Sequence, residues 1–431
     1  MKPTTPNQQK KNIRHIAAGG IFFQGGQAAI DTNTIIPGLV FGLTGSNFAV
    51  GAAAAIAQYG WLFPQLFVAH RAERRTYRMG LYRLGAFGRV ACLVVLSALL
   101  WFGTDLSKQM MIAGFFMIWT VYAFVGGIVA APYNDIVARA VVSSKRSRLL
   151  AIRFFGGGLL ALVVAMVVNR SLTTFSGGTL SGVSMTPGFA VVFLLAATLL
   201  AISAIAFSTA VEPPATISAK TLKFKDFVAN GLIVLGQDQR FRQFLVAQWL
   251  GGVAAMAFPF YILQPGRIGN VQAVDIAVLL AMQTTGMLIA NPLWGWWGDR
   301  LGKLSLLRLV AALKAGAPLL ALVWLIVGMN DRTATLIWFG AVFFLLGAVG
   351  NGSIIAQLGY LMEISPDDRR PAYSGYFNMF AAPQALLPLL GAVLAASFSY
   401  TVLFAVAVIA AVLHYLAVRN LTDHEMKDVP E

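Results

Sequence analysis

Long apolar runs separated by short polar breaks fill the chain. Twelve such runs occupy residues 16–43, 47–69, 83–103, 110–138, 149–171, 188–211, 242–264, 274–297, 304–328, 335–362, 372–397 and 399–419. An α-helix rises about 1.5 Å per residue, so about 20 apolar residues cross the hydrocarbon core. The pattern therefore predicts twelve membrane-spanning helices. Barrel strands would alternate apolar and polar positions over about 10 residues, and this chain lacks that alternation. The predicted fold class is all-α integral membrane.

Composition agrees and removes a soluble globule. Of 431 residues, 58% are hydrophobic and only 11% charged, against about 25% charged in ordinary soluble domains. The net charge of +15 raises nucleic acid as a partner, and the placement of the charges dismisses it. With both ends in the cytoplasm, 24 of the 32 Lys and Arg residues fall on that side. Lys108, Arg170, Arg267 and Arg332 lie opposite, and Arg89, Arg153, Arg308 and Lys314 lie within helices. This asymmetry is the positive-inside pattern, which predicts cytoplasmic termini. The expected partner of the basic surface is anionic membrane lipid. A single cysteine, Cys92, excludes a disulfide framework and a cysteine-built metal site. The first run is too long for a signal peptide and carries Asp31, so it reads as a retained helix.

The longest polar stretch divides the runs six and six. The expected organisation is a cytoplasmic tail over 1–15, a six-helix bundle over 16–211, a cytoplasmic linker over 212–241, a second bundle over 242–419 and a tail over 420–431. The linker opens with Glu212-Pro213-Pro214, which ends the sixth helix, and contains an apolar patch from Phe227 to Leu235. That patch reads as an amphipathic segment along the membrane surface. A repeat supports the division. YRLGAFGR at 82–89 aligns with LRLVAALK at 307–314, setting Arg83 on Arg308 and Arg89 on Lys314. Both segments open the third helix of their half, as duplication requires.

Between the eighth and ninth runs stands GWWGDRLGK, Gly295 to Lys303. It resembles the signature loop of the major facilitator superfamily. With twelve spans, a central basic loop and the Pro366, Arg369 pattern before the eleventh span, the resemblance covers essentially the whole chain. It implies two pseudo-symmetric six-helix bundles and a secondary transporter of a small solute. It further implies a monomer without cofactor, multi-pass in the plasma membrane, with a bacterial inner membrane expected. The family assigns this loop to the cytoplasmic gate. Gly295 and Gly298 then serve close packing, since small residues let helices approach in lipid, and Gly302 is a further residue of the gate loop. Asp299 is placed near the N-terminus of the eleventh helix, whose dipole favours a carboxylate by roughly 0.3–1 kcal/mol. Arg300 and Lys303 can pair with Asp299 or Glu363. Asp135 and Glu363 hold equivalent ends of the fourth and tenth helices, each followed by a basic loop, with Arg146 in one and Arg369 in the other. A plain positive-inside turn is the competing reading of Asp299 and Arg300. In the first half His70 replaces the expected acid, with Glu73 the nearest substitute.

An ionisable side chain at the bilayer centre costs from about 2.5 kcal/mol upward. Asp31 is the one acid deep within a span. Gln24, Gln27, Asp31 and Thr34 recur at spacings of three or four, with Asn33 alongside, so one helical face is polar. That face is either a wetted cavity wall or a set of interhelical hydrogen bonds. Burial disfavours a charged carboxyl, and three roles are open for Asp31: carrier of the coupling proton, site for a cationic group, or permanent ion-pair partner. Asp31-Thr32 before Pro37 resembles the first-helix motif of drug:proton antiporters, although the acid stands closer to the proline. The fifth helix, FFGGGLLALVV, lacks their Gly-Pro pair. Arg153 could bind an anionic substrate or cap loop acids such as Asp135. The resemblance places the first, fourth, seventh and tenth helices around the cavity and the third and ninth outside it. Arg89 and Lys314 then take structural roles, or snorkel toward the cytoplasm. Softer cavity candidates are Tyr122, Tyr133 and Asn134 on the fourth helix, Gln248, Trp249 and Tyr261 on the seventh, and Asn351, Gln357 and Tyr360 on the tenth. Such a lining suits a small organic solute better than a metal ion.

The leading function is a proton-coupled or facilitative carrier, with a drug exporter among the options. One rival is a sensor or assembly scaffold that keeps the fold without transport. The other is an intramembrane enzyme, opposed by the lack of HExxH, GxSxG and GxxxxGK[ST] motifs; no catalytic residue is assigned.

Overall fold

A computed structural model describes residues 6–73, 75–177, 181–214, 224–265, 272–328, 331–366 and 369–422. It is all-helical, and no β-strand occurs among the described residues. In the first half, α1 (Pro6–Ala28) and α2 (Ile35–Thr44) form the first span, followed by α3 (Asn47–Glu73), α4 (Met79–Phe102), α5 (Lys108–Ala140), α6 (Ser143–Ser176) and α7 (Thr186–Ser208). A linker helix, α8 (Phe224–Gln237), precedes α9 (Gln239–Ala255), α10 (Ala273–Arg300), the pair α11 (Lys303–Lys314) and α12 (Gly316–Val327), and α13 (Arg332–Ile364). The eleventh span is α14 (Arg370–Ala381) with α15 (Leu387–Ser397), and the twelfth is α16 (Tyr400–Arg419). Ten of these rods are long and apolar enough to cross a membrane among the described residues. The α1–α2 rod and α3 complete the twelve expected from the hydrophobic pattern.

The first span departs from the sequence expectation. Residues 16–43 read as one helix, yet the helix stops at Ala28 and restarts at Ile35. Asp31 and Thr34 are short polar residues whose side chains compete for local hydrogen bonds. Three positions into α2, Pro37 brings no N–H and a ring that clashes with the carbonyl four residues back. A continuous helix through Asn33 is therefore disfavoured, whereas a new helix with Pro in its first turn is not.

The described residues gather into two compact units, Met1–Thr221 with Pro259–Thr284, and Leu222–Phe258 with Thr285–Glu431. Within the first, α1 packs on α6 and α7, α3 on α5, and α4 on α5 and α7. Within the second, α9 packs on α16, and α11 on α13 and α16. The pairing of α4 with α5 and α7 thus recurs as α11 with α13 and α16, the packing expected of the repeat. Small residues set some of these approaches: a Cβ on Gly127 would stand 2.7 Å from the backbone oxygens of Gly60 and Trp61, so α3 and α5 meet backbone to backbone. The apolar patch of the linker is helical, with the Phe227 ring 4.9 Å from that of Tyr376 and tilted 38° to it, and Leu232 and Ile233 exposed.

Candidate functional site

The break in the first span positions Asp31. Its Oδ1 accepts the backbone N–H of Asn33 at 2.9 Å and the Thr34 hydroxyl at 2.9 Å. Its Oδ2 accepts Nε2 of Gln283 at 3.2 Å. Thr34 is fully buried. Asp31, Asn33 and Thr34 therefore converge, as their spacing suggested, but through a turn rather than a helical face. Gln24 and Gln27 do not join them. Gln27 donates to the Tyr122 hydroxyl at 3.3 Å, and Gln24 packs where a Cβ on Gly157 of α6 would fall. Gln283 was not among the sequence candidates; its partner lies 252 residues away in the chain.

Two cavities open in the first unit. One, of about 140 Å³, is lined by Phe23, Tyr82, Tyr133, Asn134 and Arg153 among others. The second, of about 220 Å³, is lined by Gln27, Gln58, Trp119 and Tyr122 among others. Trp61 and Arg89 line both. Arg89 is only 3% exposed, and its guanidinium carbon lies 5.3 Å from the centre of the Phe23 ring. The snorkelling alternative is corrected here, because Arg89 turns inward between α1 and α5, within its own half. Its stem runs past Gly126, where a Cβ would stand 3.1 Å from the Arg89 Cδ.

One of the alternatives left open for Arg153, a pair with Asp135, is not formed. The Arg153 Nη1 donates to the Tyr133 hydroxyl at 3.0 Å, and its guanidinium lies over the Phe23 and Tyr133 rings. Asp135 instead pairs with Arg78 and Arg139. Arg139 also reaches Glu212 at 2.8 Å. Glu212, its side chain 5% exposed, accepts the backbone N–H groups of Arg78 at 2.7 Å and Met79 at 2.8 Å. It thereby satisfies orphan donors at the start of α4 and sets a negative charge at its positive end. The sequence reading saw Glu212 only as a helix end and missed Arg78 and Arg139. The side chains of His70, Glu73 and Arg146 lie outside the described residues.

In the second unit, Lys303 donates to Asp299 at 2.8 Å, and the Asp299 side chain is 77% exposed. The Lys303 stem lies across Gly359 of α13. Arg300 stacks on Trp296 at 5.9 Å. Gly302 adopts φ +88°, a conformation that favours glycine. Gly298 lies close to Leu306 and Lys303, whereas a Cβ at Gly295 would meet open space. The close-packing role expected for Gly295 is therefore corrected. Glu363 and Arg369 are exposed at the ends of α13 and before α14.

Of the softer candidates, Trp249 donates to the Phe380 carbonyl at 3.1 Å and Tyr360 to the Thr422 carbonyl at 3.1 Å, both structural bonds. Gln248 is buried with its Nε2 unpartnered among the described residues. Tyr261 is fully buried, and Asn351 and Gln357 are half-buried on α13. Lys314 also turns inward: a Cβ on Gly251 of α9 would lie 3.1 Å from its Nζ and 3.2 Å from Nδ1 of His414. His414 is itself 2% exposed and bonded to the Ala247 carbonyl at 2.6 Å.

Residues 267–430 match the family model described as Major Facilitator Superfamily. No curated protein matches the chain. Solved structures share its fold. The nucleoside transporter NupG, in a mutant form, superposes with a TM-score of 0.70 at 12% identity, covering 96% of this chain and 100% of that one. A POT family transporter in complex with 5-aminolevulinic acid gives a TM-score of 0.70 at 11% identity, covering 95% and 96%. A D-xylose-proton symporter gives 0.69 at 13% identity, covering 94% and 96%.

Proposed function

We propose that the chain is a secondary transporter of the major facilitator superfamily that carries a small solute by alternating access, coupled to protons; the family-model match over residues 267–430 and the shared fold support this reading. The observation that carries this reading is the pair of cavities that share Arg89 and Trp61, mainly apolar in lining but with polar groups set into them, among them Gln27, Asn134 and Arg153. Polar groups are withdrawn from lipid at a cost, and within a membrane they mark solute and ion pathways. Solved proteins of the same fold are named as carriers of nucleosides, of peptides and of xylose with a proton.

Asp31 is the coupling carboxylate in this proposal. Three neutral donors meet it, and among the described residues no Lys or Arg forms an ion pair with it. That speaks against a permanent ion pair. The transport frame is the six-and-six division, 16–211 and 242–419 joined by 212–241, with cytoplasmic termini in a bacterial inner membrane. The exposed apolar side of α8 rests on lipid, and a monomer suffices. The loop of Asp299, Arg300 and Lys303, with Glu363 and Arg369, and the Arg78, Asp135, Arg139 and Glu212 cluster are the cytoplasmic gate elements. Counterflow in proteoliposomes across a panel of small solutes, with and without an imposed pH gradient, tests the reading. At least one solute should exchange and be concentrated by the gradient; a reconstituted, folded protein that exchanges none contradicts it.

A further inference from the structure

The cavity beside Phe23 holds two guanidiniums and, among the described residues, no carboxylate within ion-pairing distance of either. Arg89 lies ten residues into α4, about 15 Å along its axis, and Arg153 lies four residues past Leu149, where the apolar part of α6 begins, or about 6 Å. Both charges are thus drawn inside the span. Both lie 5.3 Å from the same ring centre, that of Phe23, so they also repel one another. Each has a buried Nε without a hydrogen-bond partner. Removing a charge from water without a counter-charge is strongly unfavourable.

The fold nevertheless makes room for both. Beside Gly20 of α1, a Cβ would stand 2.5 Å from Arg153 Cγ and 2.7 Å from its Cδ. Gly126 of α5 does the same for the stem of Arg89. Two glycines therefore seat two long side chains with their heads in the cavity. An arginine fork presents several donors suited to carboxylate and phosphate oxygens. Tyr82, Tyr133, Phe207 and Trp61 supply flat apolar walls, and Asn134 a further polar group.

We propose that this cavity is the subsite for the anionic group of the transported solute, a small organic carboxylate or phosphate whose charge neutralises Arg89 and Arg153. The inference rests on the transporter reading and narrows its substrate class. Loading the anion supplies the missing counter-charge, and Phe23 and Tyr133 contact the attached carbon skeleton.

The test is equilibrium binding to the full chain in nanodiscs, read as a saturable rise in the thermal unfolding midpoint. The probes are benzoate, succinate and phenyl phosphate, each beside benzamide, succinamide and benzylamine. At least one anion should stabilise the protein at concentrations where the neutral and cationic compounds do not. Arg89→Gln and Arg153→Gln should each weaken that anion at least tenfold, and Arg153→Lys should weaken it less. The ligand-free midpoint of either Gln variant should equal or exceed that of the parent, because an uncompensated buried charge has gone; a merely structural arginine would lower it. Should Arg89→Gln fail to fold, the two Arg153 variants carry the comparison. The proposal is overturned if no anion stabilises the protein, if the uncharged analogues do so equally, or if the Gln variants bind the anion as the parent does. Anion binding without counterflow would strike the transporter reading and leave this site standing. Counterflow of neutral solutes without anion binding would do the reverse.

Discussion

Arg89 stacks against Phe23 with its guanidinium carbon 5.3 Å from the ring centre, tying the third span to the first at the point where two cavities meet. Lys314, its repeat counterpart, points at Gly251 and His414 in the second unit. In both units the third helix of the repeat turns its deep charge toward the first. The duplicated segments preserve a placement as well as a sequence pattern.

Glu212 should matter more to stability than Asp135, although both are acids of one cluster. Glu212 accepts two backbone N–H groups at the start of α4 as well as Arg139, whereas Asp135 meets only side chains in the bonds described. Hydrogen bonds to a charged acceptor contribute about 1.5–3 kcal/mol each. Glu212→Gln should cost about 2 kcal/mol, and Asp135→Asn less, by denaturation in detergent. Equal losses would remove the capping role.

Two glycines of α10 should respond oppositely to alanine. A Cβ on Gly286 would collide with the Phe344 carbonyl oxygen of α13, which is backbone and cannot rotate away, while one on Gly295 meets nothing within 4 Å. Gly286→Ala should destabilise by about 1–3 kcal/mol, the range for overpacking. Gly295→Ala should leave the unfolding midpoint unchanged. A stable Gly286→Ala protein would contradict the close approach.

Asp299→Asn separates a gate from a charged turn. Its pair with Lys303 is exposed and four residues apart, so the stability loss should be at most about 1 kcal/mol. Transport should slow, with a shift toward the inward-open state. Unchanged transport kinetics would leave the loop a positive-inside turn.

Much of the fold was legible because lipid imposes a strong rule: each span must be apolar over a fixed length, and twelve runs obey it. The signature loop was legible because its residues are contiguous. Less of the site was. The helix break had a local signal, Asp31 to Thr34 ahead of Pro37, which the apolar run around it masked. Gln283 finds its partner 252 residues away and Glu212 finds its partners 73 to 134 residues away, beyond any periodicity. Arg89 left two directions open in the sequence, into its own half or toward the cytoplasm; the inward one depends on Gly126, on another helix.

The central claim is tested most directly by uptake driven by a proton gradient into proteoliposomes bearing the parent or Asp31→Asn. Asparagine keeps the size of the side chain and can still accept from Asn33 and Thr34, but it cannot carry a proton between states. The account predicts that gradient-driven accumulation is lost in Asp31→Asn while solute exchange continues. Gradient-driven accumulation at the parent's level would contradict it.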